Sequence, residues 1–371
     1  MGAAPRRGVG QPASVDRRAW VDRRGWVDRR AWVDRRAWVE RCARCGRGWN
    51  LADRRWRCRC GGLLDLLGPA GDLPPGAKWG EEATPLREVR PGLWLKMDQV
   101  LPTGSFKARG AAVMIGVAAE LGVRRVVVDS SGNAGRAVAA YAIRAGMRAE
   151  VFVPDSTAQP RVAAISALGA AVVAVPGPRA AAATAAQRRV EEGRSGGDPP
   201  WYASHVYQPA FHHGVKTLAF ELHEQLGESI GTVVVPAGNG TLVIGLWLGF
   251  RELISTGRAV GMPRIVAVQS RRCAPLAGLA PTGPTAAVGI AVASPPRAGQ
   301  IRAAVLASGG RVLTVTEDDL DEARRGLAGM GVEVEPTSSA VWAAWCTGAA
   351  RPSDFSDGRN GGGVVLVLTG R

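Results

Sequence analysis

The residue type in this chain that is best suited to covalent chemistry is lysine, because the sequence uses it so rarely. There are forty-three arginines but only four lysines, which are Lys78, Lys96, Lys107 and Lys216. Arginine keeps its proton near neutral pH, whereas a lysine of lowered pKa can attack a carbonyl carbon. Lys107 closely follows the turn-forming run Thr-Gly-Ser over residues 103–105 and precedes a helix predicted over 111–121. We therefore expect its amine near a helix N-terminus, where positive partial charge favours the neutral amine and attracts anions.

Two further turns have the composition of anion-binding corners. Residues 130–133, Ser-Ser-Gly-Asn, lie between a strand predicted over 126–129 and an alanine-rich helix predicted over 134–146. Residues 236–242, Pro-Ala-Gly-Asn-Gly-Thr-Leu, follow a predicted strand and open a helix. Glycines there allow backbone amides to turn toward an anion. The lysine and both turns stand where ligands of parallel sheets bind, beyond the carboxyl ends of the strands.

Strands and helices alternate along most of the chain, which predicts an α/β fold with parallel sheets covered by helices. The predicted strands span residues 93–97, 149–153, 171–175, 232–235, 265–268, 312–315 and 364–368. The remaining predicted helices span residues 159–168, 180–192, 213–226, 241–254, 317–329 and 338–347. A chain of 371 residues exceeds what one core usually fills, so we expect two parallel-sheet domains.

Four cysteines near the start form a CxxC pair and a CxC pair, namely Cys42, Cys45, Cys58 and Cys60. Two close pairs that flank a short hairpin are typical of a tetrahedral zinc–thiolate site, although CxC is less typical than CxxC. Zinc held by four protein ligands has no open position for catalysis, so this site would be structural. The alternative is four reduced thiols on a small knuckle. Cys273 and Cys346 stand alone and are expected to be packing residues.

The net charge of +15 is concentrated at the front of the chain. Residues 1–60 hold 17 arginines and 6 acidic residues, whereas the rest of the chain is nearly balanced. The hexapeptide Val-Asp-Arg-Arg-Ala-Trp occurs four times over residues 15–38, once with glycine in place of alanine. Neither a helix nor a strand of this repeat has an apolar face to bury, so we expect a low-complexity, disordered segment over residues 1–41. The other interpretation is a basic, aromatic arm for nucleic acid or an acidic surface.

Five segments share their order and spacing with a known enzyme family. They are PTGSFKARG over 102–110, SSGNAGRAVAAYAIRAG over 130–146, VPAGNGTLVIGLWLGF over 235–250, EVEPTSSAVWAA over 333–344 and VLTG over 367–370. Together they resemble the pyridoxal-phosphate enzymes of the tryptophan-synthase β-like fold, also called fold type II, and within that group most of all the threonine synthases. The resemblance covers roughly residues 42–370.

The resemblance implies pyridoxal 5′-phosphate as cofactor and a role for each motif. Lys107 would bind the cofactor covalently and, once released, act as base and acid at the substrate α- and β-carbons. Asn133 would hydrogen-bond the 3′-oxygen of the ring, and Thr369 would place a hydroxyl against the pyridine nitrogen. The cofactor phosphate would be held by Gly238, Asn239, Gly240, Thr241 and Leu242.

The same resemblance implies where the amino-acid substrate binds. Ser130 and Ser131 would hold its carboxylate. Candidate partners of a substrate phosphate are Thr103, Ser105 and Arg109. Glu335 is expected near the edge of the ring.

Two reactions remain open within this family. Asn133-Ala134-Gly135 and the cysteine ribbon resemble threonine synthases, which convert O-phospho-L-homoserine and water to L-threonine and phosphate. Ala108 directly after the lysine instead resembles the threonine and serine ammonia-lyases, which release a 2-oxo acid and ammonia. Glu82 departs from the family pattern, where a glycine is usual. A third interpretation, a non-catalytic nucleic-acid-associated protein, is disfavoured by the intact motifs.

We divide the chain accordingly. The division comprises the repeat over 1–41, a zinc-ribbon-like segment over 42–65, a larger cofactor-binding domain over 66–124 and 206–371, and a smaller α/β domain over 125–205. We expect a homodimer, no nucleic-acid partner and no metal on the four histidines within 205–223, while Lys216 is expected to form an ion pair. No apolar run approaches the ~20 residues of a membrane span, so we expect a cytoplasmic protein without a membrane partner.

Overall fold

The computed structural model describes four ranges of the chain, residues 38–74, 83–193, 199–350 and 362–371. The predicted repeat therefore lies outside the described residues except for Trp38, and so do Lys78 and Glu82. Within the described ranges, no helix combines the length and the apolar character that crossing a membrane would require.

The described residues form thirteen strands and ten α-helices. The strands are β1 Val39–Cys42, β2 Gly48–Asn50, β3 Leu64–Leu67, β4 Leu86–Arg90, β5 Leu93–Met97, β6 Arg125–Val128, β7 Arg148–Pro154, β8 Ala171–Val175, β9 Trp201–Tyr202, β10 Ile230–Pro236, β11 Arg264–Ser270, β12 Val312–Val315 and β13 Gly363–Leu368. The helices are α1 Lys107–Glu120, α2 Asn133–Arg144, α3 Gln159–Ser166, α4 Arg179–Gly193, α5 Ala210–Val215, α6 Thr217–Leu226, α7 Thr241–Ser255, α8 Ala298–Ala307, α9 Glu317–Gly329 and α10 Pro336–Cys346.

The largest sheet has six strands in the order β12-β11-β10-β13-β5-β4. Its neighbours are parallel except for β4, which runs antiparallel to β5 at one edge. Central strands of a parallel sheet are covered on both faces, which calls for continuous apolar runs rather than alternation. The strand β11 fits this rule, since every one of its residues is buried. The predicted α/β fold with parallel sheets is thereby confirmed.

A second sheet has four parallel strands in the order β8-β7-β6-β9. Its core includes the rings of Trp56 and Tyr202, which meet edge to face at 5.2 Å. The Tyr202 hydroxyl donates to Asp129 Oδ1 at 2.7 Å, directly after β6. The turn 130–133 thus leaves this sheet at the carboxyl end of its strands, as predicted.

A third sheet has three antiparallel strands in the order β2-β1-β3. Cys42 ends its strand β1, and Cys45, Cys58 and Cys60 lie in the connections between its strands. Its central strand β1 begins at Val39, inside the segment that the sequence assigned to the disordered repeat. The preceding Trp38 is 2% exposed and packs edge to face on His213 at 5.2 Å. A side chain at Gly68 would overlap the Trp38 ring. The boundary at residue 41 is therefore corrected, because the last tryptophan of the repeat is a core residue.

Candidate active site

Lys107 is the first residue of α1, four residues earlier than the predicted helix start. The preceding loop turns at Gly104, whose φ of 70° lies in the left-handed region. The loop is joined to the end of β13 by a hydrogen bond from the Phe106 amide to the Thr369 carbonyl, at 2.9 Å. Lys107 Nζ donates to the Thr241 hydroxyl at 3.3 Å and lies 4.0 Å from the centre of the Phe106 ring. Lys107 and the glycine-rich segment 236–240 that precedes α7, called the glycine loop below, are therefore brought together.

The surroundings of Lys107 favour its neutral form. Burial lowers the pKa of its amine to about 7, with the charge of Glu335 acting against this change and that of Arg179 adding to it. The other two described lysines sit in ion pairs, Lys96 with Glu221 at 2.8 Å and Lys216 with Glu252 at 2.7 Å. The predicted ion pair of Lys216 is thus confirmed. Among the described lysines, Lys107 is the one placed for nucleophilic chemistry.

Asn133 opens α2 and contacts Glu335, the residue that precedes α10. The Asn133 side-chain amide donates to both Glu335 carboxylate oxygens, at 3.0 and 3.2 Å. Burial raises the pKa of Glu335, while the amide of Asn133 and the charge of Lys107 act in the opposite direction. Glu335 therefore lies within electrostatic reach of the lysine and in direct contact with the asparagine.

The glycine loop ends at α7 with an uncapped helix start. Gly240, with φ of 72°, is the N-cap residue, and no side chain caps the helix. The first amides of a helix have no partner within the helix, so they are available to an anion. A Cβ on Gly238 would lie 2.7 Å from the Gly289 carbonyl oxygen, so this close approach requires glycine. The next two side chains, those of Thr241 and Leu242, are buried.

His205 lies beside this loop, a position that the sequence did not assign to the site. Its Nε2 is 3.4 Å from the Asn239 side-chain amide nitrogen. Burial first, and then the charges of Lys107 and Arg179, lower the pKa of His205 well below its usual range. A neutral imidazole can accept the hydrogen bond from Asn239 and so fix the side chain in the loop. The only sequence signal was the clustering of four histidines within 205–223, to which the sequence assigned neither a metal nor this contact.

Thr369 directly follows β13, and its hydroxyl lies 3.1 Å from that of Ser338 in α10. The Ser338 hydroxyl also accepts the Thr369 amide at 2.9 Å and the Gly370 amide at 2.7 Å. Ser338 therefore holds the turn that carries Thr369. The sequence placed Thr369 in the site but missed this serine.

The four hydroxyl residues predicted to bind substrate fall into two groups. Ser130 and Ser131 are half-buried in the turn before α2, where Ser130 Oγ accepts the Gly132 amide at 3.3 Å. Thr103 and Ser105 are buried in the loop directly before Lys107, called the lysine loop below. Neither hydroxyl has a hydrogen-bond partner among the described residues. An unsatisfied buried hydroxyl costs free energy, which favours a ligand or a water at this loop.

Arg109 does not belong to the site, contrary to its prediction as a partner of a substrate phosphate. It is 6% exposed, and its guanidinium forms two 2.8 Å bonds to Asp98. It also donates to Glu221 at 2.6 and 2.9 Å and to the hydroxyls of Thr84 and Thr217. These contacts use the N–H groups on all three guanidinium nitrogens, so no donor is left for an anion.

The remaining donors suit a phosphorylated carbonyl compound. They comprise an amine of lowered pKa, an uncapped helix start behind a glycine loop, an amide and a strand-end hydroxyl. The family model described as "Pyridoxal-phosphate dependent enzyme" matches residues 79–370. The chain belongs to this family. Pyridoxal phosphate therefore fits the residues present, and the resemblance inferred from the five motifs is confirmed.

The curated relatives that this chain resembles include threonine synthases. That of Synechocystis sp. is 32% identical over 331 residues, which cover 84% of this chain and 83% of the relative. That of Methanocaldococcus jannaschii is 28% identical over 351 residues, covering 80% and 84%. Among solved structures, the T.th. threonine deaminase is 28% identical with a TM-score of 0.61, covering 75% of this chain and 86% of that one. Maize serine racemase, 22% identical with a TM-score of 0.65, covers 78% and 88% and shows the fold alone.

The four predicted metal ligands converge away from this site. Their sulfur atoms lie within 4.8 Å of one another, with Cys42 Sγ 3.5 Å from Cys60 Sγ and Cys45 Sγ 3.7 Å from Cys58 Sγ. Tetrahedral zinc–sulfur bonds of about 2.3 Å place sulfur atoms roughly 3.8 Å apart. Burial opposes ionisation of Cys42, but amide hydrogen bonds from Cys45 and Arg44 outweigh it and lower the pKa of this thiol. Within the described residues, this cluster is the group that can hold a metal, and the histidines form none.

Proposed function

We propose that this enzyme is a threonine synthase, which converts O-phospho-L-homoserine and water to L-threonine and phosphate. The observation that carries the proposal is the length of the match, since relatives named threonine synthase align over at least 80% of the chain at 28 and 32% identity. The substrate would be a small amino acid, as the donors around Lys107 suggest. A homodimer and the division into a larger and a smaller domain belong to the same proposal.

Lys107 has the central role in the proposed reaction. Pyridoxal phosphate, when bound, supplies an electron sink for the electrons released at the substrate α-carbon. Lys107 would hold the cofactor through Nζ and, once displaced by the substrate amine, carry protons at the α- and β-carbons. A pKa of about 7 suits an amine that must both accept and return a proton near neutral pH.

The other site residues would orient the reactants. Asn133 would donate to the ring 3′-oxygen, and the Thr369 hydroxyl would meet the pyridine nitrogen without forcing its protonation. The amides of Gly238, Asn239, Gly240, Thr241 and Leu242 would hold the cofactor phosphate, supported by the dipole of α7. Ser130 and Ser131 would bind the substrate carboxylate.

The substrate phosphate would be bound by the lysine loop. The hydroxyls of Thr103 and Ser105 are buried and unpartnered among the described residues, so an oxygen-rich anion would satisfy them. Arg109 takes no part, because its donors are committed to Asp98 and Glu221. Zinc on the four cysteines would be structural, since the cluster leaves no open position.

A second candidate is deamination of threonine or serine to a 2-oxo acid and ammonia. It is favoured by Ala108 and by the 28% identity to the T.th. threonine deaminase over 75% of the chain. The two reactions share the lysine, the asparagine and the glycine loop, so these residues do not distinguish them.

The test is to supply the cofactor-loaded protein and its Lys107→Ala variant separately with O-phospho-L-homoserine, L-threonine and L-serine. Phosphate, threonine, ammonia and 2-oxo acid are then assayed. Stoichiometric phosphate and threonine from the wild type alone, with at least about a 100-fold loss in the variant, is expected. Ammonia and 2-oxo acid without threonine would establish the deaminase instead. A wild type that neither binds cofactor in the visible spectrum nor turns over any substrate would overturn both proposals.

A further inference from the structure

The sheet that carries the cysteines is unusually basic. Residues 38–60 contain two acidic residues, Glu40 and Asp53, of which Glu40 is 3% exposed. The same 23 positions contain seven arginines, which are Arg41, Arg44, Arg47, Arg54, Arg55, Arg57 and Arg59. Five of the seven are exposed and none is fully buried. This concentration of positive charge lies outside the active site and has no role in the proposed reaction.

Three of these arginines converge on one indole ring. The guanidinium carbons of Arg55, Arg59 and Arg47 lie 4.0, 5.6 and 5.7 Å from the centre of the Trp49 ring. We call these four residues the Trp49 patch. Trp49 is partly exposed, and Arg47 and Arg59 are exposed. The patch therefore presents flat π and guanidinium surfaces together with positive charge.

A fourth arginine extends the surface. The guanidinium carbon of Arg57 lies 4.8 Å from the Trp56 ring centre and 5.3 Å from that of Tyr207. Its Nη2 donates to the Tyr207 hydroxyl at 3.4 Å. Arg57 is exposed and Tyr207 is partly exposed, whereas Trp56 is buried, so the surface gains one guanidinium and one phenol ring beyond the patch.

Carboxylates of the described residues neutralise little of the positive charge of these arginines. Within residues 38–67, the described ion pair of these arginines joins half-buried Arg55 to exposed Asp53 at 3.9 Å, a long separation at which a pair near the surface contributes little. Arg41 and Arg44 donate to backbone carbonyls rather than to carboxylates. Four zinc-bound thiolates would carry a net charge of about −2, which seven arginines exceed.

We propose that the Trp49 patch binds single-stranded nucleic acid. Exposed guanidiniums pair with backbone phosphates, and the indole and guanidinium planes offer stacking surfaces to unpaired bases. An acidic peptide or an anionic membrane would use the charge but not the stacked planes. The sequence alone disfavoured a nucleic-acid-associated protein because Lys107, Asn133, the glycine loop and Thr369 are intact. The structure adds the convergence of three arginines on one ring, which sequence spacing does not reveal.

The test measures binding of the full-length, cofactor-loaded protein to a fluorescein-labelled oligouridine of about 12 nucleotides. Fluorescence anisotropy is recorded at several salt concentrations. The patch variant is Arg47→Ala/Arg55→Ala/Arg59→Ala, and the matched control is Arg188→Ala/Arg324→Ala/Arg325→Ala, which removes the same charge from exposed helix positions. We expect Kd to rise at least about tenfold in the patch variant and less than about twofold in the control. The salt slope should fall by about 2, since each lost phosphate contact on a single strand contributes roughly 0.7.

Two further variants separate stacking from charge and from misfolding. Replacing the three patch arginines by lysine keeps the charge and removes the planar groups, so binding should weaken at least about threefold. Arg47→Ala/Arg59→Ala alters exposed side chains alone and should raise Kd while the melting temperature stays unchanged. Equal losses in the patch and control variants would overturn the proposal, because net charge alone would then explain binding. So would a lysine variant that binds like the wild type, or polyglutamate that competes as well as unlabelled oligouridine.

Discussion

The side-chain amide of Asn133 spans the two carboxylate oxygens of Glu335, at 3.0 and 3.2 Å. Asn133 opens the helix that follows β6 of the four-stranded sheet, while Glu335 precedes the helix that packs on the six-stranded sheet. The backbone amide of Glu335 donates to the Gly370 carbonyl at 3.0 Å, which fixes the carboxylate beside the chain end. The contact therefore couples an expected cofactor ligand to the acid whose charge Lys107 senses.

Replacing Glu335 by glutamine should lower the pKa of the Lys107 amine below its value of about 7. The ionised carboxylate stabilises the ammonium form, so its loss favours the neutral amine at lower pH. Because the neutral amine attacks the cofactor, the midpoint of the rate of cofactor uptake against pH should move to lower pH. The measurement is stopped-flow absorbance of cofactor-free protein mixed with pyridoxal phosphate. Glu333→Gln, an exposed neighbour, should leave the midpoint in place; an unmoved or raised midpoint in Glu335→Gln would contradict the coupling.

Gly370→Ala should disrupt the contact between Asn133 and Glu335. A Cβ at this position would lie 2.5 Å from Glu335 Oε1 and 2.9 Å from Asn133 Nδ2, so one of the two side chains must move. We expect weaker cofactor retention, at least about tenfold in Kd, measured by equilibrium dialysis. Gly329→Ala is the matched control, because an added Cβ there meets nothing within 4 Å. If Gly370→Ala bound the cofactor as tightly as Gly329→Ala, the contact between Asn133 and Glu335 would not be needed for cofactor binding.

The sequence predicted most of the fold because the central strands are continuous apolar runs. The predicted strands at 93–97, 171–175 and 312–315 match the structure at both ends. It missed β4, the antiparallel edge strand of the six-stranded sheet, β9, whose two residues are too few to show a pattern, and α8, which lies in a segment rich in small residues. The helix predicted over 213–226 is divided at Lys216 into α5, which already begins at Ala210, and α6.

The site was predictable where backbone conformation decides it, and not where tertiary contacts do. Lys107 and Gly240 follow from turn chemistry that local sequence specifies. Arg109 lies two residues after the lysine, but its burial depends on Asp98 and Glu221 from distant positions. The place of His205 in the site could not be predicted from the sequence either, because it depends on a contact with Asn239, which lies 34 residues further along the chain.

Cys58→Ser should release the metal that we propose for the cysteine cluster. The wild type is expected to carry one zinc per chain by inductively coupled plasma mass spectrometry, and the variant less than about one tenth of that. Loss of one ligand from a four-cysteine site removes both a bond and the tetrahedral geometry. Cys346→Ser, an exposed cysteine outside the cluster, should keep its zinc. Equal zinc contents in the two variants would place the metal elsewhere.

Arg109→Met should destabilise the fold by about 3–5 kcal/mol, because it removes the guanidinium paired with buried Asp98 and leaves Glu221 with Lys96 as its remaining cation. The measurement is the free energy of unfolding from urea titration. Arg188→Ala removes an exposed i,i+4 pair and should change that free energy by less than about 0.5 kcal/mol. A comparably small change for Arg109→Met would mean that the network contributes no net stability.

The pH dependence of stability provides an independent check of the same network. Burial opposes ionisation of Glu221, but the charges of Arg109 and Lys96 lower its pKa to about 2. Since the unfolded carboxyl titrates near 4.5, the ionised form stabilises the folded state above that pH, and this contribution is lost as the pH falls toward 2. In Arg109→Met the pKa of Glu221 must rise, so the loss of stability between pH 5 and about 2 should become shallower. An unchanged acid transition in the variant would mean that Lys96 alone sets the charge state of Glu221.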